Sequence, residues 1–168
     1  MKHWTAAILL LAATAAAEPI ASNWSIDVAR DEKTWENVAT LAFESNNEIA
    51  DEYAAKKVHP QLAFLCKPGV DGTITVRLDW RRFISSFNTE VGFKADDREL
   101  LLVNWGVDKS NRVTQPRSAS DSKELIAYIA GANNVQVEVI PYSASLITAQ
   151  FDISGINEAL QELTAKCM

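Results

Sequence analysis

Apolar and polar residues alternate along most of the chain, which is the pattern of strands with one buried face. The clearest case is the segment 73–80, whose apolar residues share one parity: Ile74, Val76, Leu78 and Trp80. Residues 61–66 precede it across the turn-forming segment Lys67-Pro68-Gly69-Val70-Asp71-Gly72. The two segments are therefore predicted to form a hairpin.

Further strands are predicted for residues 24–28, 34–44, 89–95, 100–105, 135–139 and 147–151. In the second of these, parity places Trp35 on the buried face with Ala39, Leu41 and Phe43. The segment 100–105 is apolar on both parities, which is typical of a central strand. Residues 46–60 and 108–119 lack a clean period and are predicted to be loops, and residues 81–84 a short helical turn.

Two helices are predicted. The first begins at Asp121, interpreted as the cap with Glu124 three residues later, and ends near Gly131. The second carries Ile156, Leu160, Leu163 and Cys167 on one apolar stripe. The order of elements predicts an α+β fold, a mostly antiparallel, sandwich-like sheet with a late helix and a C-terminal helix packed on it.

The N-terminus sets the compartment. Lys2 precedes an apolar run at residues 6–13, and small residues at 15–17 stand before Glu18. This order of basic, apolar and small residues predicts a signal peptide at 1–17 and a single secreted domain at 18–168, located in the periplasm or outside the cell. No second long apolar run follows, so stable membrane insertion after cleavage is not expected.

The two cysteines are predicted to pair. Cys66 shares its strand face with Leu62 and Phe64, and Cys167 lies on the apolar stripe of the last helix. Two cysteines in an exported chain most simply form a disulfide. A free reactive thiol is the alternative, but there is no Cys-x-x-Cys and both positions are apolar, which favours the Cys66–Cys167 bridge.

Charge and motifs exclude several function classes. The 168-residue chain has a formal net charge of −6, and its basic residues cluster only at Arg81-Arg82 and Lys56-Lys57, so a nucleic-acid partner is not expected. His59 is the only histidine beyond the leader, and no nucleophile, zinc, phosphate or dinucleotide motif accompanies it. The sequence predicts no cofactor, no metal and no enzyme activity.

Two kinds of candidate site remain. Carboxylates at Asp51-Glu52, Asp79, Asp96-Asp97 and Glu99 leave a paired-carboxylate hydrolase open. Of the tryptophans after the leader, Trp24, Trp35 and Trp80 are predicted to lie in the core, and Trp105, which precedes Gly106, is predicted to be the exception. Trp105, Arg81 and Arg82 are therefore the candidate binding residues.

Several short segments follow one another after the leader in a characteristic order: Leu65-Cys66, Val76-Arg77-Leu78-Asp79-Trp80 with Phe83-Ile84, Phe93 to Asp96, Trp105 before Asp108-Lys109-Ser110, Phe151-Asp152-Ile153-Ser154-Gly155-Ile156, and Cys167. This order resembles the type VI secretion-associated VasI/TagO-like family, small exported proteins of Gram-negative bacteria. The resemblance rests on spacing rather than on a catalytic motif. It implies a periplasmic accessory domain with no assigned catalytic residues.

The first hypothesis for function is thus an exported, non-enzymatic accessory or binding protein that contacts another envelope or secreted protein. A small cell-wall-directed hydrolase or glycan-binding protein is the first alternative, with residues 46–60 and Asp51, Glu52 and His59 as its site. A secreted inhibitor of a foreign enzyme is the second, because inhibitors share the profile of a small domain held by a disulfide.

Overall fold

Antiparallel strands dominate the structure, a computed structural model that describes residues 24–32, 34–69 and 72–168. The predicted signal peptide and the predicted mature start at Glu18 lie outside the described residues. The strands, in chain order, are β1 Ser25–Arg30, β2 Asn37–Glu44, β3 Ile49–Ala50, β4 Lys57–Val58, β5 Gln61–Cys66, β6 Thr75–Asp79, β7 Thr89–Ala95, β8 Leu101–Val107, β9 Val113–Gln115, β10 Asn134–Val139 and β11 Ile147–Asp152. The helices are α1 Ala119–Ile129 and α2 Ile156–Cys167.

Nine of these strands form one sheet in the order β1-β2-β5-β6-β9-β8-β7-β10-β11, and β3 and β4 form a separate hairpin. Every pair is antiparallel, as expected from the short turns between successive strands. The predicted hairpin β5–β6 is confirmed, and β1 and β2 form a further hairpin.

The edge of the sheet formed by β11 is covered by the segment that follows β2. Asn47 donates its side-chain amide to the Thr148 carbonyl at 2.9 Å and accepts the Gln150 N–H at 2.7 Å. The Asn46 N–H also donates to the Gln150 carbonyl at 2.7 Å. The sheet therefore curves until β11 approaches the chain beyond β2, and β11 does not present an open edge.

One core fills the inside of this curved sheet. Alternate residues of β2, β6, β10 and β11 are buried, and the largest fully buried side chains include Trp80, Trp105, Phe43, Phe64, Phe93 and Phe151. In β1 no residue is fully buried, so the alternation predicted for residues 24–28 does not produce a buried face there. Phe43 and Phe64 meet edge to face with ring centroids 6.2 Å apart. The alternation predicted for β2, β6, β10 and β11 is confirmed.

The C-terminal helix α2 covers β2 and β5. Its buried residues are Ile156, Ala159, Leu160, Leu163 and Cys167, so the apolar stripe predicted for it is confirmed. Cys66 and Cys167 form the disulfide, with their Cα atoms 6.0 Å apart. The Cys167 carbonyl also accepts the Gly69 N–H at 2.9 Å, so the end of α2 is fixed to the β5–β6 turn.

The prediction that Trp35 faces the core is wrong. Its side chain is 69% exposed and its φ is +61°. β2 begins only at Asn37, because the turn uses Trp35: its N–H donates to the Asp31 carbonyl at 2.8 Å, and its carbonyl accepts Arg30 Nε at 2.9 Å. The parity of a strand does not extend into the turn that precedes it.

Four other sequence predictions need correction. β8 is central in the sheet, but Leu102 is exposed, so this strand is not buried on both faces. Residues 108–119 contain the short strand β9, and residues 46–60 contain the β3–β4 hairpin. Residues 81–84 form a bend and not a helical turn.

The first helix starts earlier than predicted. Ser118 is the cap, and its hydroxyl accepts the Asp121 N–H at 3.2 Å. Asp121 therefore takes the acidic third position of the capping box that Glu124 was expected to fill. The Ser118 hydroxyl donates to Asp121 at 2.6 Å, and this bond is the main reason why the pKa of Asp121 is lowered.

Removing the disulfide should lower stability strongly. The bridge spans 101 residues, and a loop of that size corresponds to about 4–5 kcal/mol in the chain-entropy description. We expect the Cys66→Ala/Cys167→Ala variant to lose about 3–5 kcal/mol of unfolding free energy in urea titrations. Met168→Ser, at the exposed neighbouring residue, is the control and should change nothing. A loss below about 1 kcal/mol would show that the bridge does not restrict the unfolded chain.

Asp96 should make the fold sensitive to acid. Its carboxylate accepts the N–H groups of Asn133 and Asn134 at 3.0 and 2.9 Å, and these bonds hold its pKa below the ordinary 3.8. The stabilisation is therefore present above that value and is lost as the pH falls through the lower folded pKa.

The variant Asp96→Asn isolates this charge, since Asn tolerates the φ of +45° at this position. We expect it to be less stable than the parent at pH 7, with the difference in urea midpoint shrinking towards pH 3. Asp97→Asn, at the exposed neighbour, should match the parent throughout. A pH-independent difference would assign the effect to geometry instead of charge.

Candidate functional site

Four connecting segments lie at one end of the sheet, and we call this region the loop end: residues 45–60, 80–88, 108–112 and 140–146. Strand pairing places them together. β5 begins where β2 and β6 finish, because Gln61 pairs with both Glu44 and Asp79. Asp79 also pairs with Val113, the first residue of β9.

Backbone hydrogen bonds connect these segments to one another. The Ile84 N–H donates to the Asn111 carbonyl at 2.8 Å, and the Tyr142 N–H donates to the Ile84 carbonyl at 2.8 Å. Three of the four segments are thus joined in series before any side chain is considered.

Arg82 and Glu52 join the remaining segment. Arg82 is only 9% exposed, and its Nη1 donates to the Ala50 carbonyl at 2.8 Å. Glu52 accepts Nη2 of Arg112 at 2.8 Å and the Phe83 N–H at 3.3 Å. Two predicted candidates, Arg82 and Glu52, are therefore cross-links that hold the loop end in one arrangement.

Arg81 has a different position. Its side chain is about half exposed, and its Nε lies 3.4 Å from the Asp79 carboxylate. The Arg81 N–H donates to the same carboxylate at 2.8 Å, and its φ is +57°. Arg81 keeps part of its guanidinium at the surface, so of the three candidate binding residues it is the one that a partner can reach.

Trp105 lies in the core and not at the surface. It is 1% exposed, and its ring centroid is 5.0 Å from that of Phe93. Its Nε1 has no hydrogen-bond partner among the described residues. Residues at neighbouring sheet positions pack around the indole, so a ligand at the surface cannot contact it. The prediction that Trp105 is the exposed tryptophan is therefore wrong.

The His59 side chain makes a hydrogen bond to the backbone. Its Nδ1 is 2.8 Å from the Ser45 carbonyl, and since a carbonyl oxygen only accepts, Nδ1 carries the hydrogen. Its Nε2 is 3.7 Å from Glu48. The Ser45 N–H in turn donates to the Pro60 carbonyl at 2.8 Å, which closes the base of the β3–β4 segment.

Asp51 likewise has a structural role. Partial desolvation would raise its pKa, but hydrogen bonds from the N–H groups of Ala55, Lys56 and Tyr53 outweigh it and hold the pKa below its ordinary value. The three residues of the hydrolase hypothesis thus have separate partners: Asp51 the local backbone, Glu52 Arg112, and His59 Ser45 and Glu48.

Large aromatic side chains that the sequence reasoning missed project from the loop end. Tyr53, Phe87 and Tyr142 are 82%, 72% and 70% exposed. Each comes from a different segment of the cross-linked set. The signal for them in the sequence is an aromatic residue in a stretch without strand or helix periodicity, where no buried face is available for it.

Comparison with known proteins finds similarity in fold. No family model matches the chain, and no curated protein matches it at a significant level. A solved structure that does match is that of invasion associated protein B from Bartonella henselae, with a TM-score of 0.53. It is 13% identical and covers 85% of this chain and 91% of its own. The two proteins share a fold over most of their lengths.

Neither helix among residues 24–32, 34–69 and 72–168 has the length and apolar content needed to cross a membrane. Within the same ranges, no three His, Cys, Asp or Glu residues are grouped so that they could hold a metal ion.

Removing the Glu52 carboxylate should loosen the loop end locally. In Glu52→Ala we expect the Phe83 amide to exchange its hydrogen about tenfold faster, because the acceptor is lost. The Tyr142 amide, which donates to the Ile84 carbonyl, should be unaffected and serves as the internal control. Equal exchange at Phe83 in both proteins would mean that Glu52 does not fix this segment.

Proposed function

We propose that this chain is an exported, non-enzymatic accessory protein that binds another envelope or secreted protein through its loop end. The observation that carries this proposal is the set of exposed aromatic residues Tyr53, Phe87 and Tyr142 on segments joined by hydrogen bonds. Tyrosine, other aromatics and arginine are enriched at the energetic centres of protein interfaces. Arg81 adds a partly exposed guanidinium to the same region.

Rigidity supports this assignment. Binding costs free energy when flexible loops must be ordered, so segments already cross-linked by Arg82 and Glu52 lose less on association. The exposed aromatic rings can therefore contribute most of their burial energy to affinity. Scattered exposed apolar residues are ordinary on a protein surface, whereas three large aromatics at one end of a sheet call for an explanation.

Export and a periplasmic or extracellular location are supported by three observations. The leader has signal-peptide grammar, the chain carries a Cys66–Cys167 disulfide, and the described residues hold no membrane-spanning helix. The resemblance to the VasI/TagO-like family and the sandwich-like curvature of the sheet suit a periplasmic accessory domain. The solved protein of similar fold is described as invasion-associated, which is also compatible with a secreted accessory role.

The test replaces the exposed rings and compares them with a ring at the opposite end of the sheet. A photo-crosslinking amino acid at Phe87 or Tyr142, in cells that produce the protein, should give one defined adduct with an exported protein. The same group at Trp35, which is 69% exposed in the β1–β2 turn, should not form it.

The variant Phe87→Ser/Tyr142→Ser should then weaken binding of that partner at least about tenfold, because each ring is expected to contribute on the order of 1–2 kcal/mol. Its urea midpoint should equal that of the parent, since both rings are exposed. Adducts from all three positions alike, or unchanged affinity in the double variant, would contradict the proposal.

A further inference from the structure

A small cavity opens on the outer face of the sheet, directly beside the loop end. It has a volume of about 130 Å³ and lies over β7, β8 and β10. Two of its walls, Ile140 and Leu146, belong to the loop end, and Leu102 of β8 forms a third. All three side chains are more than half exposed, so the cavity continues the apolar surface of the loop end onto the sheet.

Gly92 creates the depression. It stands in the middle of a row across three strands, because it pairs with Glu138 on one side and with Leu102 on the other. A Cβ atom at this position would lie only 2.8 Å from Cγ and 3.1 Å from Oε1 of Glu138. The missing side chain therefore lets Glu138 lie along the surface of the sheet, where its carboxylate borders the cavity.

A second carboxylate borders the same cavity. Glu90 lies two residues before Gly92 in β7, so its side chain projects from the same face of the sheet as that of Glu138. Among residues 24–32, 34–69 and 72–168, neither carboxylate takes part in a hydrogen bond or an ion pair. By contrast, Glu52 and Asp79 at the loop end each face an arginine. Within the described part of the chain, the cavity thus combines apolar walls with two negative charges that lack a counter-charge.

This combination determines the chemistry of the occupant. Lysine and arginine carry a cationic group on an aliphatic stem, so the stem can pack on Leu102 and Ile140 while the cation bonds the carboxylates. An anionic group or an anionic membrane surface would be repelled by Glu90 and Glu138. The cavity is also too small for a whole organic ligand, since pockets for such molecules have volumes of about 300 Å³ or more. A single side chain of a larger partner is the occupant that fits.

We propose that the protein partner inserts a lysine or arginine side chain into this cavity, where its cation pairs with Glu90 and Glu138. This inference rests on the proposed function, because it names the residue type through which the same partner extends from the loop end onto the sheet. The exposed aromatic rings contribute affinity for many surfaces, whereas two carboxylates reject a partner that offers an anionic or apolar residue at this point. The cavity therefore determines specificity.

The first experiment extends the crosslinking in cells to the cavity. A photo-crosslinking amino acid at Leu102 should capture the same exported protein as the one at Phe87, because both positions lie on one continuous surface. Digestion of the adduct and mass spectrometry should place the crosslink within a few residues of a lysine or arginine of that protein. The same group at Thr75, which is exposed on the outer face of β6, should form no adduct.

The double variant Glu90→Gln/Glu138→Gln keeps the shape of both side chains and removes their charge. Its affinity for the captured protein should be at least about tenfold lower, because the cation loses both counter-charges. Raising the NaCl concentration should weaken binding of the parent more than binding of the variant. Glu124→Gln, at an exposed carboxylate of α1, is the matched control and should bind as the parent does. Exchanging the charges, with Glu138→Lys in this chain and glutamate at the mapped residue of the partner, should restore binding.

The outcomes distinguish the cationic side chain from the proposed function. An adduct from Phe87 but none from Leu102, a crosslink far from any lysine or arginine, or unchanged affinity in the double variant would overturn the cationic side chain and leave the loop end as the binding surface. An adduct from Leu102 alone, with lower affinity in the double variant, would support the cationic side chain and contradict the loop end. No adduct from Phe87, Tyr142 or Leu102 would overturn both.

Discussion

The packing of α2 on β2 and β5 is the contact on which the closed core depends. Without it, the inward faces of these strands, including Leu41, Phe43, Leu62 and Phe64, would lack their cover at the point where the chain ends. The helix has only 12 residues, too few to be stable alone in water, so its tertiary contacts must hold it. The disulfide supplies a covalent bond between partners 101 residues apart, where loop-closure entropy opposes contact most.

With α2 packed and the disulfide formed, the two ends of the sheet have different roles. At the Cys66 end, the bridge and the Gly69 to Cys167 hydrogen bond tie the final helix to a turn. At the loop end, the connections are side-chain and backbone hydrogen bonds between segments far apart in sequence. Loops on a rigid scaffold are where proteins usually bind partners, and here the scaffold is fixed from the opposite end.

Local sequence accounts for much of the sheet but little of the loop end. Strict alternation predicted β6 and β10 because each has one buried face, and helical spacing predicted α2 for the same reason. The prediction that Trp35 is buried was wrong because the turn, and not the strand, determines its backbone conformation. β9 was not predicted because Val113–Gln115 is too short to show an alternation of apolar and polar residues.

The loop end could not be predicted because its contacts join distant residues. Arg82 bonds a carbonyl 32 residues away, and Glu52 reaches Arg112 across 60 residues. Nothing in the neighbouring sequence of either residue specifies such a partner. The sequence indicated that residues 46–60 and Arg81-Arg82 were unusual, and the fold brings them together. Trp105 was the opposite case, since its place beside a glycine at a strand end suggested exposure that the packed sheet does not allow.

The arginines in and near the loop end are already paired with acceptors. Arg77, Arg81 and Arg112 each face a carboxylate, and Arg82 is used by a backbone carbonyl. In a chain with a net charge of −6, these cations neutralise and connect neighbouring segments instead of forming a positive patch. The exposed aromatic residues of the loop end therefore have paired charges around them, a composition that agrees with the proposed protein partner better than with a polyanion.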